Sequence, residues 1–161
     1  MIRHFTSTVF VVHDNKIALH WHDKVKMWLP PGGHVEKNED PVQTAIRECN
    51  EEMGIDIFIH SESKYNFSEK KLSSIFPPET ILLETVEDIK IGSHEHIDFI
   101  YFGYPKLTNF RLNPKWFWVD SYALINKVEL QNQFGDYFAP PDDVMVLGLE
   151  AISKLKKLSK S

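Results

Sequence analysis

The chain has 161 residues, with 18 Lys and Arg against 23 Asp and Glu, for a formal net charge of −5 at pH 7. Its 42% hydrophobic and 25% charged content is that of a folded globular chain and excludes a wholly disordered, collagen-like or coiled-coil protein. The length predicts a single domain over residues 1–161 with its own core. The acidic balance argues against a broad nucleic-acid or membrane surface, both of which prefer basic partners. One cysteine, Cys49, cannot form an internal disulfide. The opening Met1-Ile2-Arg3-His4-Phe5 has no apolar stretch like a signal peptide, and no apolar run approaches the ~20 residues that span a bilayer. The expectation is a cytoplasmic protein without a membrane partner.

In chain order, residues 6–12 are rich in β-branched and aromatic types and read as a strand. His13-Asp14-Asn15-Lys16 supplies a turn, and residues 17–22 return as a second strand. Trp28-Leu29-Pro30-Pro31-Gly32-Gly33 reads as a break in regular structure, with two prolines fixing φ and two glycines freeing it. Residues 41–53 form the best helix: Asp40 caps it, Pro41 suits its first turn, and Gly54 suits the position just past its end. Residues 56–60 are a short strand, and the polar stretch 61–78 is a long surface connection. Residues 80–86, 97–104 and 116–119 are further strands. Asp142 or Asp143 starts a last helix, with Val144, Leu147, Ala151, Leu155 and Leu158 at helical spacing. Its closing Lys154, Lys156, Lys157 and Lys160 read as a solvated end that complements the helix dipole. Strands interleaved with helices predict an α/β (α+β) fold, a mixed sheet sandwiched between helices.

The helix at 41–53 carries the chemistry. At about 100° per residue, Val42, Ala45, Ile46, Cys49 and Met53 share one face, which makes Cys49 a small core residue rather than a nucleophile. Glu48, Glu51 and Glu52 gather on another face, with Arg47 the only cation among them. Like charges at i,i+3 and i,i+4 destabilise a helix, and a helix C-terminus disfavours negative charge further. Clustered carboxylate oxygens in so unfavourable a place suit a site for Mg²⁺ or Mn²⁺.

Gly33, five residues, Glu39, seven residues, Arg47-Glu48, apolar Cys49, one residue, Glu51-Glu52, one residue, Gly54 and apolar Ile55 match the Nudix box at every fixed position. Such a match arises by chance on the order of once in ten million chains of this size. The chain therefore resembles the Nudix hydrolases (MutT-like), and the strand order around the box fits the Nudix fold. The resemblance implies hydrolysis of the diphosphate linkage of a nucleotide or nucleoside diphosphate derivative by metal-activated water. It implies Glu48, Glu51 and Glu52 as ligands of Mg²⁺ or Mn²⁺, joined by the carbonyl of Gly33. Arg47 pairs with Glu39, and Glu48 is the first choice of general base. It also allows a homodimer. The alternatives are a Nudix domain that senses a nucleotide or ADP-ribose without turnover, which the intact carboxylates oppose, and an RNA-end pyrophosphohydrolase, which the net charge opposes.

Four residues outside the box are further candidates. Glu95 offers a downstream base or ligand. His20 and His22 alternate on one strand face near the glycine loop, and Trp28 lies in that loop; all three are candidates to contact substrate. Zinc is disfavoured, because the pairs His20/His22 and His94/His96 have no cysteine partner.

Overall fold

The computed structural model describes residues 2–88, 90 and 92–158. Lys160 and the side chains of Lys157 and Leu158, assigned above to the end of the last helix, lie outside the described residues.

Strand β1 (Arg3–His13) is the axis of the molecule. On one edge it pairs in parallel with β9 (Gly92–Pro105), from Arg3 opposite Glu95 to Val11 opposite Gly103. On its other edge the partner changes along the strand. The short β4 (Gly32–His34) runs antiparallel beside Thr6, Ser7 and Thr8, and β2 (Lys16–His22) takes over at Val12 and His13. The Val9 amide, between the two, donates to the Pro31 carbonyl (3.0 Å). This change of partner sets the Gly32–Gly33 backbone directly against the centre of the sheet.

The eight-stranded mixed sheet is completed by β3 (Met27–Leu29) on β2, β5 (Ile57–Ile59) and β8 (Thr80–Asp88) on β9, and β10 (Trp116–Asp120) on β2. Two structural findings differ from the reading of residues 28–33 as a break and of residues 61–78 as a plain connection. Leu29 ends one strand and Gly32 begins another, because Pro30 and Pro31 interrupt the ladder for only two residues. Likewise residues 61–78 hold a small hairpin, β6 (Ser68–Glu69) with β7 (Leu72–Ser73). A short helix, α2 (Ser121–Ile125), follows β10, capped by the Asp120 side chain accepting from the Ala123 amide. A second hairpin, β11 (Leu130–Gln131) with β12 (Tyr137–Phe138), precedes the last helix.

The period of two in β1 divides its side chains between two apolar layers. Phe10 and Val12 pack with Ile17, Leu19, Trp21, Ile100 and Phe102 beneath α3 (Asp142–Leu158), which contributes Val144, Ala151 and Leu155. Val9 and Val11 face the opposite way, against Ala45, Cys49 and Met53 of the first helix and Tyr101 of β9. The sheet is therefore covered by helices on both faces, a mixed α+β sandwich. Lys154 is not a solvated lysine: it pairs with Glu79 and, at 3.5 Å, with Glu150.

Candidate active site

Helix α1 (Pro41–Glu48) begins as its sequence dictates. Asp40 accepts from the Gln43 amide while Gln43 caps the Asp40 amide in return, both at 2.9 Å. Ser7 of β1 donates to the Pro41 carbonyl (2.7 Å), which pins the helix start to the sheet. The C-terminal part differs from a simple α-helix. Cys49–Met53 widens into a π-helical turn that ends at Gly54 with φ +75°. Orphaned carbonyls at that end are met from far along the chain. Trp116 Nε1 and Asn113 Nδ2 donate to the Glu52 carbonyl at 2.9 and 3.0 Å, and the Asn113 amide donates to the Met53 carbonyl at 2.9 Å. Cys49 is fully buried, and burial pushes its thiol well above the ordinary range, as befits a core residue.

On the polar side, one guanidinium gathers four residues. Arg47 Nε and Nη2 grip both oxygens of Glu39 at 2.7 and 3.0 Å, and Nη2 also reaches the His34 carbonyl at 3.1 Å. Nη1 donates to Glu48 at 2.7 Å and to Glu51 at 3.2 Å. All five N–H donors of arginine are thus used. The arginine, helped by the Thr44 hydroxyl and the Glu36 amide, holds the Glu39 carboxyl down at about 2. Glu52 stands on the other side of the cluster. It accepts a 3.2 Å bond from the Gly32 amide, and burial, with Glu48 and Glu51 nearby, pushes its carboxyl up to about 7.

The two glycines serve different needs. A Cβ on Gly32 would stand 2.8 Å from the Ser7 carbonyl oxygen and 2.6 Å from the Thr8 hydroxyl, so backbone would have to move. A Cβ on Gly33 would instead overlap the Glu48 carboxyl, the far end of a flexible side chain. Gly33→Ala is therefore expected to leave thermal stability within about 1 kcal/mol of wild type and lower turnover roughly 100-fold, by displacing a carboxylate about 1 Å. Gly32→Ala is expected to cost about 1–3 kcal/mol. Equal unfolding midpoints for the two variants in a thermal melt would contradict this assignment.

The structure thus brings Gly33, Glu39, Arg47, Glu48, Glu51 and Glu52 together. The candidates outside the box have the following surroundings. Glu95 is bound to Arg3 (Nε to Oε2, 2.6 Å) across the β1–β9 ladder. His20 lies against Trp116, with ring centroids 4.4 Å apart, and burial with the neighbouring His22 brings it down to about 4. His22 accepts a long bond from the Val25 amide. Trp28 requires a correction: it is 0% exposed, between Trp21 and Phe117, because β3 pairs with β2 and turns its indole into the core. It has no surface on which a ligand can stack.

A second acidic group, whose members the sequence does not bring together, lies on the α3 face of the sheet. Asp98, 4% exposed, accepts from the Thr6 hydroxyl at 2.9 Å, and burial pushes it up to about 6. Glu84 of β8 is pushed up to about 7 by burial and by Asp98 and Asp143. The signal was the alternation of residues 80–88, which turns Glu84 inward between Leu82 and Val86.

A "Probable DHNTP pyrophosphohydrolase" of Lactococcus lactis is 32% identical over 96 residues, 60% of this chain and 51% of that protein. The chain thus spans about half the length of that relative. A bis(5'-nucleosyl)-tetraphosphatase [asymmetrical] of Sus scrofa is 62% identical over 29 residues, 18% of this chain and 20% of that protein. The crystal structure of a NUDIX family hydrolase from Clostridium perfringens superposes with TM-score 0.71 and 28% identity, covering 96% of this chain and 99% of that one. Residues 3–128 match the NUDIX domain model, and the chain belongs to that family.

Proposed function

We propose that the protein is a divalent-cation-dependent pyrophosphohydrolase that cleaves the diphosphate linkage of a nucleotide or nucleoside diphosphate derivative. The observation that carries this reading is the Arg47 clamp, which holds Glu48 and Glu51 beside Glu52 and the bare Gly32–Gly33 backbone. The names of the relatives, a DHNTP pyrophosphohydrolase and a dinucleoside tetraphosphatase, support attack on phosphoanhydride bonds.

The donor set fits a hard cation. Glu48, Glu51 and Glu52 offer carboxylate oxygens, and burial, with Glu48 and Glu51 nearby, disfavours the ionised form of Glu52. These three would hold Mg²⁺ or Mn²⁺, with the Gly33 carbonyl. When bound, the cation neutralises the diphosphate and lowers the pKa of water. The protein's own groups do the rest. Glu48, fixed by Arg47, accepts the proton of the attacking water at its carboxylate. Arg47 directs its charge to holding the carboxylates, so its guanidinium is not available to the substrate, whose negative charge would be left to a bound cation. Glu39 keeps Arg47 in place, and the capped start of α1 keeps the carboxylates in register with Gly33.

The test uses the purified full chain with Mg²⁺ and with Mn²⁺. The panel comprises nucleoside triphosphates, DHNTP, ADP-ribose, nucleotide sugars and dinucleoside tetraphosphates, and released phosphate or nucleotide is measured. Cleavage of one class, lost in the Glu51→Gln/Glu52→Gln variant, is the expected result. Failure to cleave any member, or equal cleavage by the variant, would overturn the proposal.

A further inference from the structure

Four histidines converge on the α3 face of the sheet, at the end of β1 away from the first hairpin. His4 of β1 lies opposite His96 of β9 in the parallel ladder, while β4 sets His34 beside Thr6, two residues further along β1. Ligand nitrogens of His4, His34 and His96 all lie within 4.8 Å of one another. His4 Nδ1 and His34 Nε2 are 3.2 Å apart. Two nitrogens bound tetrahedrally at 2.0–2.1 Å to one zinc are separated by roughly 3.3 Å, so this pair already stands at a coordination distance.

We propose that His4, His34 and His96 form a three-imidazole site for a borderline transition-metal ion, with Zn²⁺ as its occupant, separate from the carboxylate cluster on α1. Imidazole donors select Zn²⁺ over Mg²⁺ and Mn²⁺, which prefer oxygen. Three protein ligands would leave one position for water, which can reach the cluster because His34 is exposed. A fourth histidine orients the third ligand. His94, 3% exposed, has its Nδ1 3.0 Å from the Gly92 carbonyl, which can only accept, so Nδ1 carries the proton and Nε2 is a lone pair. That lone pair stands 3.1 Å from His96 Nε2 and accepts its proton, which fixes the His96 ring and makes Nδ1 the nitrogen that would ligate. An ion held this way would tie β1, β4 and β9 together, and β4 carries Gly32 and Gly33. The site would therefore anchor the glycine strand from the face opposite the carboxylates.

The proposal does not depend on the hydrolase reading. The full chain, stripped with a chelator and dialysed, is titrated with Co²⁺ and followed by visible absorption, then with Zn²⁺ as competitor. One equivalent of Co²⁺ is expected to bind with the intense visible bands of four-coordinate cobalt and an apparent Kd below about 1 μM. One equivalent of Zn²⁺ is expected to displace it. The Glu51→Gln/Glu52→Gln variant is expected to keep the spectrum. His34→Ala, a change at an exposed position whose folding is checked by circular dichroism, is expected to weaken binding at least about 100-fold. Absence of intense bands, bands lost with the glutamates, or bands unaffected in folded His34→Ala would each overturn the site.

Discussion

Glu52→Gln is expected to lower turnover on the order of 1000-fold and, in chelator, to raise the unfolding temperature. Both effects have one cause. Glu52 sits with burial against it and with Glu48 and Glu51 nearby, so its carboxyl rises from an ordinary 4.5 to about 7. A raised carboxyl contributes its full stability below the unfolded value and loses it as pH climbs from about 4.5 through 7. Glutamine cannot ionise, yet its side-chain oxygen can still accept from the Gly32 amide. At pH 8 the variant is therefore expected to be about 1–2 kcal/mol more stable, roughly 2–6 °C for a chain of this length. The advantage should vanish near pH 4. Millimolar Mg²⁺ or Mn²⁺ should stabilise wild type more than the variant and narrow or reverse the gap. Scanning calorimetry at pH 4 and 8, with chelator and with cation, decides it. A variant less stable than wild type in chelator at pH 8 would show that Glu52 is not a disfavoured charge.

The local features of α1 were legible because they are set by near neighbours. Asp40, Gln43, Pro41 and Gly54 specify the helix ends within a few residues, and the apolar stripe through Ala45, Cys49 and Met53 needs only helical periodicity. The π-helical turn was not legible. Its end is held by Trp116 and Asn113, some sixty residues away, and nothing within Cys49–Met53 announces them. Trp28 misled for a related reason. Beside two prolines and two glycines it reads as a loop residue, but pairing of Trp28 with Trp21 across two short strands buries it. The histidines show the same limit. Spacing pairs His94 with His96 in sequence, whereas the parallel register of β1 and β9 sets His96 opposite His4, and the antiparallel placement of β4 adds His34. Glu84 and Asp98 likewise meet only through the β8–β9 ladder and the start of α3. Periodicity assigns a residue to a face, but which residues share a site on that face depends on strand register.

Arg47→Lys is expected to lower stability by about 2–3 kcal/mol and turnover about 100-fold, although the charge is kept. The guanidinium makes a two-pronged bond to Glu39 and single bonds to Glu48, Glu51 and the His34 carbonyl. An ammonium has three donors with no planar fork, so lysine cannot grip both Glu39 oxygens and reach Glu48 together. Glu39, Glu48 and Arg47 keep only 19%, 14% and 21% of their side-chain surface, so carboxylates released by the change are poorly solvated. The pH dependence identifies the cause. Arg47 holds Glu39 at about 2 against an ordinary 4.5, so this contribution is fully present above about 4.5 and is lost as pH falls towards 2. The deficit of Arg47→Lys should therefore be largest above pH 5 and close steadily on acidification, as protonated Glu39 ceases to use the clamp. Glu39→Gln should show a deficit of the same sign with the same acid limb. Urea unfolding of the three proteins between pH 2.5 and 7 measures this directly. A deficit that stays constant across that range would mean that Arg47 stabilises the helix through packing of its stem rather than through its charge.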